Sequence, residues 1–216
     1  MESNCLPIGI ARTHFPITAL GYGRRIGVWV QGCSIRCDGC MSVDTWRPSD
    51  KPVSVSAIVN TLRINVSDCD GLTISGGEPF DQPRAMLQLL RAIRPQLSGD
   101  ILLFTGYEFG ALPSEAHPCL AYIDLLVAGP FDPSKACAAT LRGSSNQTVH
   151  ALTGLGGTRF EALSNASARP MDVITDETGL WLAGIPAPGD LDRFSDVLKT
   201  ADLVATTSVG RLGRKI

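Results

Sequence analysis

Short apolar runs alternate with amphipathic stretches through the first two thirds of the chain. Residues 26 to 31, IGVWVQ, are rich in β-branched and aromatic side chains and predict a buried strand. A loop follows through RPSDKP. Val55, Ile58, Val59, Leu62 and Val66 then recur at helical spacing, which predicts an amphipathic helix over 55–66. GLTIS at 71–75 predicts a second buried strand, stopped by Gly76 and Gly77. Asp81 is placed to cap a helix whose stripe is Met86, Leu90, Ile93 and Leu97. DILLFTG (100–106), YIDLLVAGP (122–130) and QTVHAL (147–152) predict the third, fourth and fifth strands. Strands separated by helices predict an α/β fold with a parallel sheet and helices on its outer face. Ligand sites in such sheets gather at the carboxyl ends of the strands.

After about residue 153 the pattern changes. TGLGGTRFEALSNASARP predicts a loop or linker, and MDVITDETGLWLAGIP a hairpin turning near Asp176 to Gly179. PGDLDRFSDVLKTADLV predicts a capped helix with Leu191, Phe194 and Leu198 on one face, and VGRLGRKI a frayed tail. The expected organisation is a core over 1–153 and an extension over 154–216 packed on the same domain.

A length of 216 residues with 44% hydrophobic side chains is enough for a sizeable core. The net charge of −2 gives no global field that favours nucleic acid or an acidic membrane. No apolar run approaches the roughly 20 residues of a membrane helix. The first residues lack the basic, apolar and small-residue order of a leader, so a cytoplasmic location is expected.

Three of the seven cysteines lie in QGCSIRCDGC, residues 31–40. Cys33, Cys37 and Cys40 form C-x3-C-x2-C, a thiolate group that suits zinc, copper(I) or an iron–sulfur cluster. A structural zinc site is closed by four ligands, and only three cluster here. Cys5, Cys69, Cys119 and Cys137 stand apart, and nothing in the setting of His14 marks it as a ligand. Three cysteines on a cubane leave one iron open, the arrangement of a working site. Gly32 and Gly39 allow close backbone approach, and Arg36 adds positive charge near an anionic cluster. A zinc or redox-inert thiol loop is the competing reading. The second conspicuous stretch, TISGGEPFDQP at 73–83, ends a strand in glycines that expose backbone to a ligand. Glu78 there offers an acceptor for an ammonium group.

Together the cysteine loop and the Gly76-Gly77-Glu78-Pro79 turn resemble the radical S-adenosylmethionine superfamily. That resemblance implies a partial, incomplete TIM-like β/α barrel with a C-terminal hairpin and helix extension. It implies that Cys33, Cys37 and Cys40 hold a [4Fe–4S] cluster and that S-adenosylmethionine occupies the fourth iron. Gly76, Gly77 and Glu78, with Pro79 in the same turn, would bind the methionine ammonium. The implied chemistry is reductive cleavage of the sulfonium to a 5′-deoxyadenosyl radical that abstracts hydrogen from a substrate.

GCSIRCDGC, LLFTGYEFGAL, YIDLLVAGPFDP and LRGSSNQTV further resemble the activating enzymes of glycyl-radical proteins, in particular that of anaerobic ribonucleotide reductase. This implies Thr105, Asp124 and Asn146 near the cofactor, with Arg142, Ser144 and Gln147 along the later cleft. It also implies a glycyl-radical protein as partner and flavodoxin or ferredoxin as reductant, with no nucleic acid and no membrane. Ala128 departs from the pattern, where relatives carry an acidic residue. Two alternatives stay open: a stand-alone radical enzyme on a metabolite or peptide, and a non-enzymatic iron–sulfur or zinc module. Trp29 is expected in the core, Trp46 and Tyr107 in ordinary aromatic packing with a place beside the cleft as the alternative, and Arg24 and Arg25 in a solvated turn.

Overall fold

The computed structural model describes residues 6–166, 170–176 and 179–200. The expected tail at 209–216 and Cys5 lie outside these described residues. The centre is a six-stranded mixed sheet. Its strands are β1 (Ile10–Ile17), β2 (Arg25–Val30), β3 (Gly71–Gly76), β4 (Asp100–Thr105), β5 (Leu125–Ala128) and β6 (Thr148–Ala151). They run in the order β6-β5-β4-β3-β2-β1. The middle four are parallel. Both edges are antiparallel, β1 on β2 and β6 on β5.

Two differences from the expected parallel sheet have physical causes. No helix crosses between β5 and β6. The chain makes an antiparallel ribbon, Ala136–Ala139 with Arg142–Ser144, and so returns antiparallel to β5. The strand β1 gave no clear apolar run because it is a half-buried edge strand. An edge strand also tolerates Pro16, whose missing N–H would break an interior ladder.

Alternation along the strands feeds two faces. Val28 and Val30, Leu72 and Ile74, and Ile101 and Leu103 join one core with helices α1 (Val55–Arg63) and α2 (Pro83–Ile93). Ser54, rather than a residue inside the run, caps α1 by accepting from Ala57 N at 3.2 Å. On the other face Leu102, Leu125 and Val127 meet Leu141, Phe160 and Leu163. The last two belong to α3 (Gly154–Ser164), which occupies the stretch expected to be a loop. Its three glycines give it poor intrinsic propensity. One of them is required by packing: a Cβ on Gly156 would run into the carbonyl oxygen of Asp124. Thr153 caps α3 by accepting from Gly156 N at 3.1 Å.

The hairpin β7 (Asp172–Asp176) and β8 (Gly179–Ala183) covers the same face nearer β1. Asp172 accepts from Thr18 N at 2.7 Å, Thr18 Oγ1 at 2.6 Å and Ala19 N at 2.9 Å. Trp181 meets Trp29 edge-on at 5.1 Å and His14 at 5.5 Å. Helix α4 (Asp190–Thr200) follows, with Leu191, Phe194 and Leu198 half-buried. Among the described residues no helix is long and apolar enough to cross a membrane.

Arg25, expected in a solvated turn, is fully buried. Its guanidinium makes a two-pronged pair with Asp100 at 2.8 and 2.9 Å, and Nε donates to Thr73 Oγ1 at 2.6 Å. Further bonds reach the carbonyls of Leu72 and Tyr22. The group therefore joins the amino ends of β2, β3 and β4.

Candidate active site

The carboxyl ends of β2 to β5 surround a cavity of about 550 Å³. Cys33, Cys37 and Cys40 line it after β2, Gly76, Gly77 and Glu78 after β3, and Thr105 and Gly106 after β4. Gly129 and Phe131 line it after β5. The cysteine loop is docked by backbone bonds: Gly32 N to Thr45 O at 2.7 Å, and Cys33 N to Trp46 O at 3.1 Å. Gly77 N reaches Val30 O and Glu78 N reaches Gly32 O, both at 2.9 Å.

This docking requires the glycine pair. A Cβ on Gly77 would collide with the Gly32 carbonyl. Gly76 adopts φ +102°, and a Cβ there would come within 2.7 Å of Val30 backbone atoms. The two glycines let the β3 turn lie flat against the stem of the cysteine loop.

Glu78 is 1% exposed. Its Oε1 accepts from Phe80 N at 2.9 Å and Thr105 Oγ1 at 2.8 Å, and Oε2 accepts from Gly106 N at 2.7 Å. Desolvation pushes its carboxyl up to about 7, although these three donors oppose the rise. Burial likewise raises the Cys33 and Cys37 thiols. Backbone N–H groups of Ile35 and Arg36 at Cys33, and of Phe131 at Cys37, pull the other way. Each of these thiols also feels Cys40, and Cys33 feels Glu78, so the neighbours reinforce burial in holding the protons on this wall.

The remaining expected residues divide. Thr105 meets the site through Glu78. Pro79 is buried and opens the short helical turn Pro79–Asp81. Asp81 does not cap α2, whose first turn follows Gln82. Instead it accepts from Ser34 N, Ser34 Oγ and the Tyr107 hydroxyl. Asp124 is a correction. It precedes β5 and so lies at the amino end of the sheet, away from the cavity. There it pairs with Arg94 at 2.8 Å and accepts from Ile101 N and Thr153 Oγ1. The sequence could not tell a residue that starts a strand from one that ends it. Asn146 does not line the cavity. It donates to Pro130 O at 2.7 Å, and its buried Oδ1 has no partner among the described residues. Ser144 Oγ accepts from Asp132 N, and Arg142 reaches Gln147 O. Gln147 does line the cavity, while tying Gly129, Gly143 and Ser144 together.

Cys69 and Cys119 are buried in the main core, with the Cys119 thiol pushed up to about 11 by burial. Cys137 lies in the outer ribbon. Trp29 is buried, as its apolar run implied, and also lines the cavity. Sequence reasoning named none of the residues of one wall as site residues. Leu182 to Gly189, with Leu191 and Asp192, line the cavity from the side of the extension. Nothing in AGIPAPG signals chemistry, and only the hairpin's docking brings it there.

The family model for the 4Fe-4S single cluster domain matches residues 19–150, more than half of the chain. The chain is 32% identical over 149 residues to the anaerobic ribonucleoside-triphosphate reductase-activating protein of Vibrio cholerae. That match covers 65% of this chain and 96% of the relative. The chain belongs to the radical S-adenosylmethionine activating-enzyme family. A Haemophilus influenzae protein of the same name as the Vibrio cholerae one is 31% identical, over 60% of this chain and 89% of its own length. The pyruvate formate-lyase-activating enzyme of Clostridium pasteurianum is 30% identical over 85% of this chain and 71% of its own length. Ala128 stands where the resemblance leads one to expect an acidic residue. Here it pairs with Thr105 and is 1% exposed, in the apolar core.

Proposed function

We propose that this chain is a radical S-adenosylmethionine enzyme that activates a partner protein by forming a glycyl radical on it. Cys33, Cys37 and Cys40 would hold the [4Fe–4S] cluster, leaving one iron for the amino and carboxylate groups of S-adenosylmethionine. The observation that carries this is the convergence of three free thiols and the buried Glu78 turn on one cavity at the carboxyl end of the parallel strands.

The donor set fits such a cluster. Cys33, Cys37 and Cys40 line one cavity as free thiols, the three-thiolate set that holds three irons of a cubane, whereas a structural zinc site is closed by four ligands. Mutual repulsion among the thiolates favours a cationic group between them. When bound, the cluster supplies the electron that cleaves S-adenosylmethionine to the radical that takes hydrogen from the partner.

The chain's own contributions are orientation and exclusion of water. The backbone at Gly76 and Gly77 and the Glu78 carboxylate form the polar wall that takes the methionine ammonium. Leu20, Trp29, Phe104, Phe131, Leu182 and Ile185 are the apolar walls that keep water from a reactive species. The parallel strands with their outer helices support a partial barrel, with the extension closing one side of its mouth.

Anaerobic reconstitution tests the proposal. The expected result is about four irons per chain, release of 5′-deoxyadenosine under reduction, and a glycyl radical signal on a co-incubated glycyl-radical protein. A protein that takes up iron but releases no 5′-deoxyadenosine would overturn it.

A further inference from the structure

We infer that Asp81 is a positioning residue for the cysteine loop, and that its charge lowers the reduction potential of the cluster the loop holds. The inference rests on the cluster reading above.

Asp81 ends the same short turn that Glu78 begins, and its N–H returns to Glu78 O at 3.2 Å. The turn therefore splits two carboxylates between two tasks. Glu78 is buried in the cavity wall, whereas Asp81 is exposed and lies behind the loop. Asp81 Oδ2 accepts from Ser34 N at 2.7 Å, and Oδ1 accepts from Ser34 Oγ at 2.8 Å. The Tyr107 hydroxyl, from the loop after β4, donates to Oδ1 at 3.2 Å. One side chain thus ties together the loops that follow β2, β3 and β4.

Ser34 directly follows Cys33, in a loop that otherwise turns sharply. Gly32 and Gly39 have φ of +106° and +69°, and even Arg36 adopts φ +51°. Glycine takes such angles freely, but Arg36 does not, and a non-glycine residue stays in that region only when its surroundings over-determine it. Two charge-assisted bonds to one residue are a strong local constraint. They also occupy the Ser34 N–H, so that it gives no compensating bond to a cluster sulfur. A fixed negative charge one residue from a thiolate ligand disfavours adding an electron, and net charge near a cluster is a recognised control of its potential. Solvent reaches Asp81, so the effect on potential is moderated while the effect on loop geometry is not.

The test uses Asp81→Asn and Tyr107→Phe in the full chain. In the cluster-free protein, trypsin should cut after Arg36 several-fold faster in Asp81→Asn than in wild type. In reconstituted protein, Asp81→Asn should lose iron to a chelator several-fold faster. Its midpoint in an EPR-monitored redox titration should shift to a more positive value. Tyr107→Phe leaves the Asp81 charge less compensated, so its midpoint should shift the opposite way. A loosened loop alone would move both midpoints in the same direction. Unchanged cleavage at Arg36 overturns the positioning role, and shifts of the same sign overturn the electrostatic role. Failure of wild type to take up iron would instead strike the cluster reading, leaving the tryptic comparison to decide the positioning role.

Discussion

Replacing Glu78 with glutamine should remove a specific pH dependence from the stability of the cluster-free protein. Burial raises this carboxyl from 4.5 to about 7. The native state therefore holds the proton more tightly than the unfolded chain, and stability from this group falls as pH rises from about 4.5 towards 7. A rise of that size corresponds to roughly 3 kcal/mol, lost in full only about one pH unit above the folded value. A glutamine side chain cannot ionise, so that slope should vanish. The variant has its own cost, because its amide NH₂ would face the Gly106 N–H that now donates to Oε2, leaving a buried donor unpaired for about 1–3 kcal/mol. Urea unfolding at pH 5, 6, 7 and 7.5 measures both effects. Wild type should be the more stable at pH 5, with the gap shrinking by about 2 kcal/mol by pH 7.5. His150, lowered by burial, titrates in the same range with the opposite sign, but it is common to both proteins and cancels in the difference. Stability curves that stay parallel across the range would refute the reasoning. A cationic ligand on this wall should favour ionised Glu78, so S-adenosylmethionine binding by wild type should tighten from pH 6 to 8, and that trend should be absent in Glu78→Gln.

Asp100→Ala would strand the buried Arg25 guanidinium and should cost about 3–5 kcal/mol in urea unfolding. Arg25→Lys should also destabilise, since one ammonium cannot reproduce the fork to Asp100 with the bond to Thr73. Gly77→Ala should keep the far-ultraviolet circular dichroism of wild type yet fail to bind iron, because its Cβ displaces the stem of the cysteine loop. Cys37→Ala should lose the four-iron cluster, while Cys119→Ala should retain it, as iron and sulfide assays would show. Asp124→Asn should lower the thermal midpoint by weakening the Arg94 pair, yet leave S-adenosylmethionine affinity within about twofold of wild type.

The parallel strands were legible because each is a short continuous apolar run, as burial on both faces demands. The cysteine loop and the Gly76-Gly77-Glu78 turn were legible for the same reason, since each follows directly on such a run. What failed to read was structure whose stability comes from elsewhere. Helix α3 carries Gly154, Gly156 and Gly157 and holds through its contacts with β4, β5 and β6 and the cap at Thr153. Local propensity argues against it, and tertiary packing overrides that. The role of Asp81 was hidden because a helix cap and a tether to a loop 47 residues earlier share one local signature, an aspartate before an apolar stripe. The cavity wall at Leu182–Gly189 has no signature at all. It depends on Asp172 gripping Thr18 and on Trp181 lodging against Trp29, pairings between segments more than 150 residues apart.

The two ends of the sheet also separate charges that the sequence presents alike. At the amino end, Arg25 spends its donors on Asp100, Thr73 and backbone carbonyls. There too Asp124 is surrounded by Arg94, Ile101 N and Thr153. Opposite charges meet with their hydrogen bonds satisfied, so the net field is small and the groups act as fasteners. At the carboxyl end, three thiols and Glu78 gather on one cavity wall, and Glu78 receives neutral donors only. Neutral donors orient a carboxylate without cancelling its charge, and burial then penalises the ionised state. Ionising these thiols and this carboxyl in a desolvated cavity is costly unless something positive completes the wall. In the proposed function, iron between the thiolates and a sulfonium-bearing amino acid beside Glu78 would meet that need, and the strand-end position that takes Asp124 away from the cavity is the one that puts Glu78 on its wall.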